Sequence, residues 1–205
     1  MTGLSTKGAR TREAILAAAE DAFAASGFHG ASMRDVAAAA DMAVAGLLHH
    51  FPRKEGLYAA VLGRIAAQID EVVTTALAGR SSETAKLRKL VRRYHAWAED
   101  NPRRSNLLLR ELIDNPSRLG RAGRFHLAPV VAKMTGFVED GRRTGAFARV
   151  DPLMFVVHLA GSSSYFIAAR PTLAKIERRP VSALDRRFRR DFVTLVERYL
   201  LEERS

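Results

Sequence analysis

The sequence contains no cysteine. That absence removes disulfides and thiolate metal sites outright and suits a reducing cytoplasm. Nor does any stretch alternate with period two over a strand's length, and no internal repeat or low-complexity tract is present. All-β and parallel-sheet architectures are therefore not expected, and the fold class reads as all-α. Met1 to Arg10 carries Lys7 and Arg10 but no apolar core, so it does not read as a secretory signal. The most hydrophobic segment, Leu153 to Ala169, is interrupted by His158 and Ser162-Ser163-Ser164 and falls short of a spanning helix. The serine triplet lacks the glycine-flanked elbow of a serine hydrolase. Gly141 to Gly145 lacks phosphate-loop spacing, and the pair His49-His50 has no third ligand near it in sequence. The expectation is a cytoplasmic protein that is not an enzyme and holds neither a metal nor a cofactor.

What the chain does have is charge and helical periodicity. Over 205 residues the formal charge is +11. Within residues 1 to 55, however, Lys7, Arg10, Arg12, Arg34, Arg53 and Lys54 are matched by Glu13, Glu20, Asp21, Asp35, Asp41 and Glu55. The excess lies further on, in Arg-rich runs such as Lys86 to Arg93 and Arg186 to Arg190, whose helical spacing reads most simply as solvated faces. Global charge is thus weak evidence for a nucleic-acid partner; local placement says more.

Ile15, Leu16, Ala19, Ala22 and Phe23 recur at helical spacing from Thr11, and Gly27 closes the pattern. Ser32-Met33-Arg34-Asp35 is a capping box opening a short second helix with Val36, Ala37 and Ala40 on one face. Asp41 to Ala43 leaves room only for a tight turn. Val44 to Phe51 then forms a third helix, with Leu47, Leu48 and Phe51 placed to face inward and Pro52 stopping it. From Lys54, apolar residues at three-to-four spacing predict one helix of about 24 residues, about 36 Å long. Further helices are expected over Ser82–Asp100, Arg103–Asp114, Leu119–Arg143, Pro152–Arg170 and Val181–Glu203.

Two short helices joined by a tight turn are the helix-turn-helix, though a generic helix hairpin shows the same pattern. Here the sequence resembles a family. Thr11-Arg12-Glu13-Ala14-Ile15-Leu16, Phe23 followed by Gly27-Phe28, Ser32 to Ala37, Leu47 with His49-His50-Phe51, and Lys54-Glu55 with Leu57 occur in the order seen in TetR-type transcriptional regulators. The resemblance implies a DNA-binding domain over 9–69, with its helix-turn-helix at 32–51, and a helical ligand-binding and dimerisation domain over 70–205. It also makes the third helix the recognition helix. Ser32, Arg34, Ala43, Val44, Ala45, Gly46, His49, His50 and Lys54 become the candidate DNA contacts. Asp41, Ala43, Val44, Ala45, Gly46 and Leu48 stand where the family commonly has Gly, Ser, Lys, Gly, Thr and Tyr, so several phosphate-gripping hydroxyls are lost. Val44 and Ala45 suit thymine methyl groups instead, and base readout with fewer hydrogen bonds is expected.

The implied function is a ligand-responsive regulator, a repressor in the leading reading. It would bind a palindromic double-stranded DNA operator as a homodimer and be released by a small-molecule effector. A helical dimer that has lost specific DNA recognition, and an enzyme or carrier built on the helical core, remain the alternatives. Candidate effector-pocket residues are Trp97, Arg110, Phe125, His126, Phe137, His158, Ser162, Tyr165 and Phe166. His95, His126 and His158 each sit in apolar surroundings and read as core histidines. The last two helices, with small residues at Ala160 to Ser164 and apolar spacing from Leu184 to Tyr199, are the expected dimer interface.

Overall fold

The computed structural model describes residues 6–114 and 126–201. Among them are nine helices and no strand: α1 Thr6–Gly30, α2 Met33–Ala39, α3 Val44–His50, α4 Lys54–Leu77, α5 Glu83–Asp100, α6 Pro102–Asp114, α7 Ala128–Arg143, α8 Pro152–Glu177 and α9 Val181–Leu201. They form two compact units. One comprises residues up to Ile65 together with Asn106–Gly120; the other comprises Ala66–Ser105 and Arg121–Ser205. Helix α4 contributes its first half to the first unit and its second half to the other.

In the first unit α1 packs on α2 and α2 on α3. Ile15, Leu16, Ala19 and Phe23 of α1 meet Val36 and Ala37, Leu47 and Phe51, and the Leu57, Tyr58, Val61, Leu62 and Ile65 face of α4 in one buried core. The ring of Phe23 lies edge-on to Tyr58 at 4.8 Å, and Phe28 lies 5.0 Å from the same ring. Arg64 on α4 bonds two α1 carboxylates, Glu13 at 3.1 Å and Glu20 at 2.5 Å. Helix α1 starts at Thr6, earlier than the Thr11 read from periodicity, and its regular part ends where expected: Gly27 has φ 69° and ψ 179°, a break that glycine adopts at no steric cost.

In the second unit α7 packs on α8, α8 on α9, and α5 on both α8 and α9. Helix α8 departs most from expectation. The expected helix ends at Arg170, before Pro171, yet the helix runs through Pro171 to a left-handed cap at Arg178, burying Ala174 on the way. This helix of 26 residues contains an 18-residue stretch of mean hydropathy 1.4, so by length and composition alone it could cross a membrane, which differs from the expectation for the shorter segment. One side of it buries Phe155, Val156, Leu159, Ser163, Phe166 and Ile167 against its neighbours, while Leu153, Met154, Val157 and Tyr165 stay exposed. Helix α7 begins at Ala128; the earlier part of the stretch read from Leu119 includes residues outside the described ones.

Candidate nucleic-acid interface and effector region

The helix-turn-helix is built locally. Ser32 caps α2 by accepting a hydrogen bond from the Asp35 amide at 3.1 Å, so its hydroxyl already has a structural task. The turn is made by Asp41 in the left-handed region at φ 52°, and the Met42 amide donates back to the Ala37 carbonyl at 3.0 Å. Asp reaches that conformation with less strain than most residues, but glycine does so freely. Ala43 then stands at the N-cap of α3, in extended backbone, and its side chain offers no capping bond.

Helix α3 is anchored by one fully buried residue, Leu47, and by Phe51 just beyond its end. Ala43, Ala45, Leu48 and His49 are exposed, while Val44, Gly46 and His50 are half-buried. Leu48 therefore does not turn inward as its spacing suggested; it is 40% exposed, on the outer side of the helix. Gly46 is close-packed, since a Cβ there would stand 3.1 Å from Met42 Cε. Arg34 and Arg53 are exposed. Lys54, read as a phosphate contact, is engaged internally. Its Nζ donates to the His29 carbonyl at 3.3 Å and sits 4.8 Å from the Phe28 ring centre, tying the start of α4 to the end of α1. Arg12 similarly stacks over Phe51 at 4.3 Å, a contact that sequence reading missed.

The candidate effector residues do not gather in one place. Phe137 lines an open cavity of about 410 Å³ in the second unit, with Leu77, Lys86, Lys133 and Asp140 around it. Ser162 and Phe166 line a separate groove of about 450 Å³ along α8 and α9, with Phe188, Phe192 and Leu195. Trp97 is buried and its indole N–H meets no hydrogen-bond acceptor. The Ser163 hydroxyl is likewise buried without a partner, whereas Ser164 is bonded by Ser105 at 3.2 Å. Tyr165 is 68% exposed. His126 and His158 are exposed rather than core, His158 standing 5.2 Å from the Tyr199 ring. Arg110 belongs to the first unit, where it lines a small cavity beside Gly27. Phe125 lies outside the described residues.

His95 is the buried histidine that sequence reading expected to be satisfied, and it is not. Both ring nitrogens lack hydrogen-bond partners, and the ring is enclosed by Phe166, Phe188 and Phe192 at 4.7 to 6.0 Å. Burial first, then the nearby Arg189 and Arg170 cations against the opposing Asp185, lowers its pKa to about 4. Beside it Glu99 is pushed above the usual carboxylate range, chiefly by burial, although Arg189 lies 3.3 Å away. Tyr94 is pushed up to about 12 by burial.

Comparison with known proteins matches both parts of the chain. Residues 15–61 fit the family described as bacterial regulatory proteins, tetR family, and residues 84–195 fit the tetracyclin repressor-like C-terminal domain. The HTH-type transcriptional regulator RutR of Escherichia coli is 26% identical over 181 residues, covering 84% of each chain. Among solved structures, a transcriptional regulator from Streptomyces coelicolor superposes with a TM-score of 0.71 at 23% identity, covering 93% of this chain and 98% of that one. AibR, in complex with isovaleryl coenzyme A and operator DNA, superposes with a TM-score of 0.64 at 22% identity, covering 77% and 86%. At those identities the two structures speak for the fold, whereas the C-terminal match alone spans more than half of the sequence. With a capped helix-turn-helix in one unit and a matching helical body in the other, the chain belongs to the tetR family of bacterial regulatory proteins.

Proposed function

We propose that the protein is a cytoplasmic, effector-responsive transcriptional repressor that binds a two-fold symmetric operator as a homodimer. The division read from the sequence assigns DNA binding to 9–69 and effector binding and dimerisation to 70–205. The observation that carries the reading is the outer face of α3. Ala43, Ala45, Leu48 and His49 are exposed on a helix whose opposite side is fixed by Leu47 and Phe51, which is the presentation a major-groove helix needs. Arg34, His49 and His50 serve as polar contacts, and Val44 and Ala45 as partners for thymine methyl groups. Ser32 and Lys54 act indirectly, one capping α2 and the other pinning α4 to α1.

An effector in the second unit is supported by its buried, unpartnered polar groups, Trp97 Nε1 and Ser163 Oγ, which a bound molecule would satisfy. AibR, of the same fold, binds an acyl coenzyme A as well as its operator. Self-association is supported by apolar side chains left exposed on α8 and α9: Leu153, Met154, Val157, Tyr165 and Leu195. Selection of genomic DNA fragments by the purified protein, followed by gel shift at several salt concentrations, tests the proposal. Salt-sensitive and sequence-selective binding to an inverted repeat is expected. Binding that is equally strong to any duplex would instead favour a dimer that has lost specific recognition, consistent with the apolar α3.

A further inference from the structure

The last turns of α8 contribute little to packing. Beyond Pro171 the helix buries only Ala174, while Lys175, Ile176 and Glu177 are exposed, as are Arg178 and Arg179 at its end. Between Lys175 and Asp191 the chain carries seven lysines and arginines against three carboxylates. Each carboxylate already has a cation: Glu177 meets Arg187 at 3.6 Å, Asp185 meets Arg170 at 3.2 Å and Asp191 meets Arg190 at 2.8 Å. Lys175, Arg178 and Arg179 meet no carboxylate among the described residues. The backbone holds them in a strained closure. Arg178 sits in the left-handed region at φ 52° and ψ 42°, and the Arg179 amide donates to the Ala174 carbonyl at 3.0 Å. Glycine is the usual residue at that point of a helix end, because it adopts the conformation freely. Pro180 follows and restricts Arg179 as well. An arginine there gains nothing for the backbone, so its guanidinium is the feature to be explained.

We propose that the turn between α8 and α9 is a second DNA contact surface, in which Lys175, Arg178 and Arg179 bind backbone phosphates of the duplex without reading its sequence. The inference rests on the DNA-binding function proposed above. Phosphate contacts supply most of the sequence-independent affinity of a protein for duplex DNA. In the first unit, however, Lys54 and Arg12 are held over Phe28 and Phe51, Arg64 is bonded to Glu13 and Glu20, and Ser32 caps α2. Three neighbouring cations without carboxylates supply what those residues do not. The guanidinium fork matches phosphate oxygens, and a turn already closed by Arg178 and Pro180 lowers the cost of ordering the contact. An anionic bilayer is the competing partner, since Ile176, 70% exposed, lies within the cluster. One apolar side chain gives a bilayer little area to hold, so the observations favour DNA.

Fluorescence anisotropy of the full-length protein on a mixed-sequence duplex of about 40 base pairs, repeated across a salt series, tests the proposal. In the triple variant Lys175→Gln, Arg178→Gln, Arg179→Gln, affinity should fall about tenfold or more and the salt slope should become shallower by about two to three per protomer. A control removes three charges elsewhere, by Arg142→Gln, Arg143→Gln and Arg149→Gln at and beyond the end of α7. Its slope should change by less than about one. Arg178→Gly alone should raise the melting temperature while weakening duplex binding about threefold, two effects of opposite sign. All of these side chains are exposed, and circular dichroism confirms that each variant is folded. The proposal is overturned if the triple variant keeps the wild-type slope, if the control loses as much, or if the triple variant loses binding to phosphatidylglycerol vesicles while keeping the duplex. It is equally overturned if Arg178→Gly lowers stability and leaves duplex binding unchanged, as expected of cations that only complement the carbonyl end of α8. A wild type that binds no duplex removes the DNA reading and this inference together. A wild type that binds, with a triple variant that binds as well, removes this inference alone.

Discussion

Replacing Gly141 with alanine places a methyl group inside the ring of Phe147. A Cβ at this buried position of α7 would lie 2.0 Å from Phe147 Cδ2, 2.3 Å from Cε2 and 2.8 Å from Cγ, against an ordinary carbon–carbon separation of about 3.5–4.0 Å. The ring cannot easily withdraw. Phe147 is 5% exposed and stands edge-on to Phe137 at 5.3 Å, and its own amide donates to the Gly141 carbonyl at 3.1 Å. Expelling the ring forfeits much of a buried phenylalanine, about 3–5 kcal/mol when such a residue is lost outright. Against this, alanine improves helix propensity by about 1 kcal/mol. The expected net loss is about 2–4 kcal/mol.

The same helix supplies the control. A Cβ at Gly136 meets nothing within 4 Å, so Gly136→Ala should gain about 0.5–1 kcal/mol. Urea unfolding at one fixed protein concentration measures both, since the stability of any self-associating protein depends on its concentration. In a Phe147→Ala background Gly141→Ala should become neutral or stabilising, giving a coupling of roughly 2–4 kcal/mol. If Gly141→Ala stabilises as much as Gly136→Ala, or the double variant is additive, the packing argument is wrong.

Three further outcomes are expected. Asp41→Gly removes left-handed strain in the helix-turn-helix, so the melting transition should rise by the equivalent of roughly 0.5–1 kcal/mol, with operator affinity retained. His95, whose folded pKa of about 4 lies below its unfolded value of about 6.5, contributes stability that is complete above pH 6.5 and is lost as pH falls toward 4. The loss is at most about 3 kcal/mol, less with solvent screening, and His95→Phe should flatten that part of the pH–stability curve. Arg34→Ala should weaken operator binding about equally across operator variants and reduce the salt slope by about one, as removal of a phosphate contact does.

The DNA-binding unit was legible in the sequence because its signals are local. A cap at Ser32, a break at Gly27 and a stop at Pro52 act within a few residues of themselves. What the sequence hides is set by long-range contacts. Lys54 looked like a free cation until the fold brought the His29 carbonyl and the Phe28 ring to it. Arg110, a candidate effector anchor by sequence, stands in the first unit, where the Tyr58 hydroxyl bonds the adjacent Glu111, 53 residues away in sequence. Pro171 should break a helix by removing one donor and crowding a carbonyl, yet α8 continues beyond it and buries Ala174. The surroundings of the candidate effector residues were the least legible. Aromatic and polar side chains spaced along helices do not reveal which face a cavity, and the unpartnered Trp97 N–H and Ser163 hydroxyl become visible only once the helices are packed.

The most direct test of the central claim is a hydroxyl-radical footprint of the protein on a selected operator. A two-fold dimer reading through α3 should protect two symmetric patches whose centres lie one helical turn, about 34–36 Å, or a multiple of it apart. Protection should disappear when either half-site is scrambled. Uniform, salt-sensitive protection without positional preference would contradict the account.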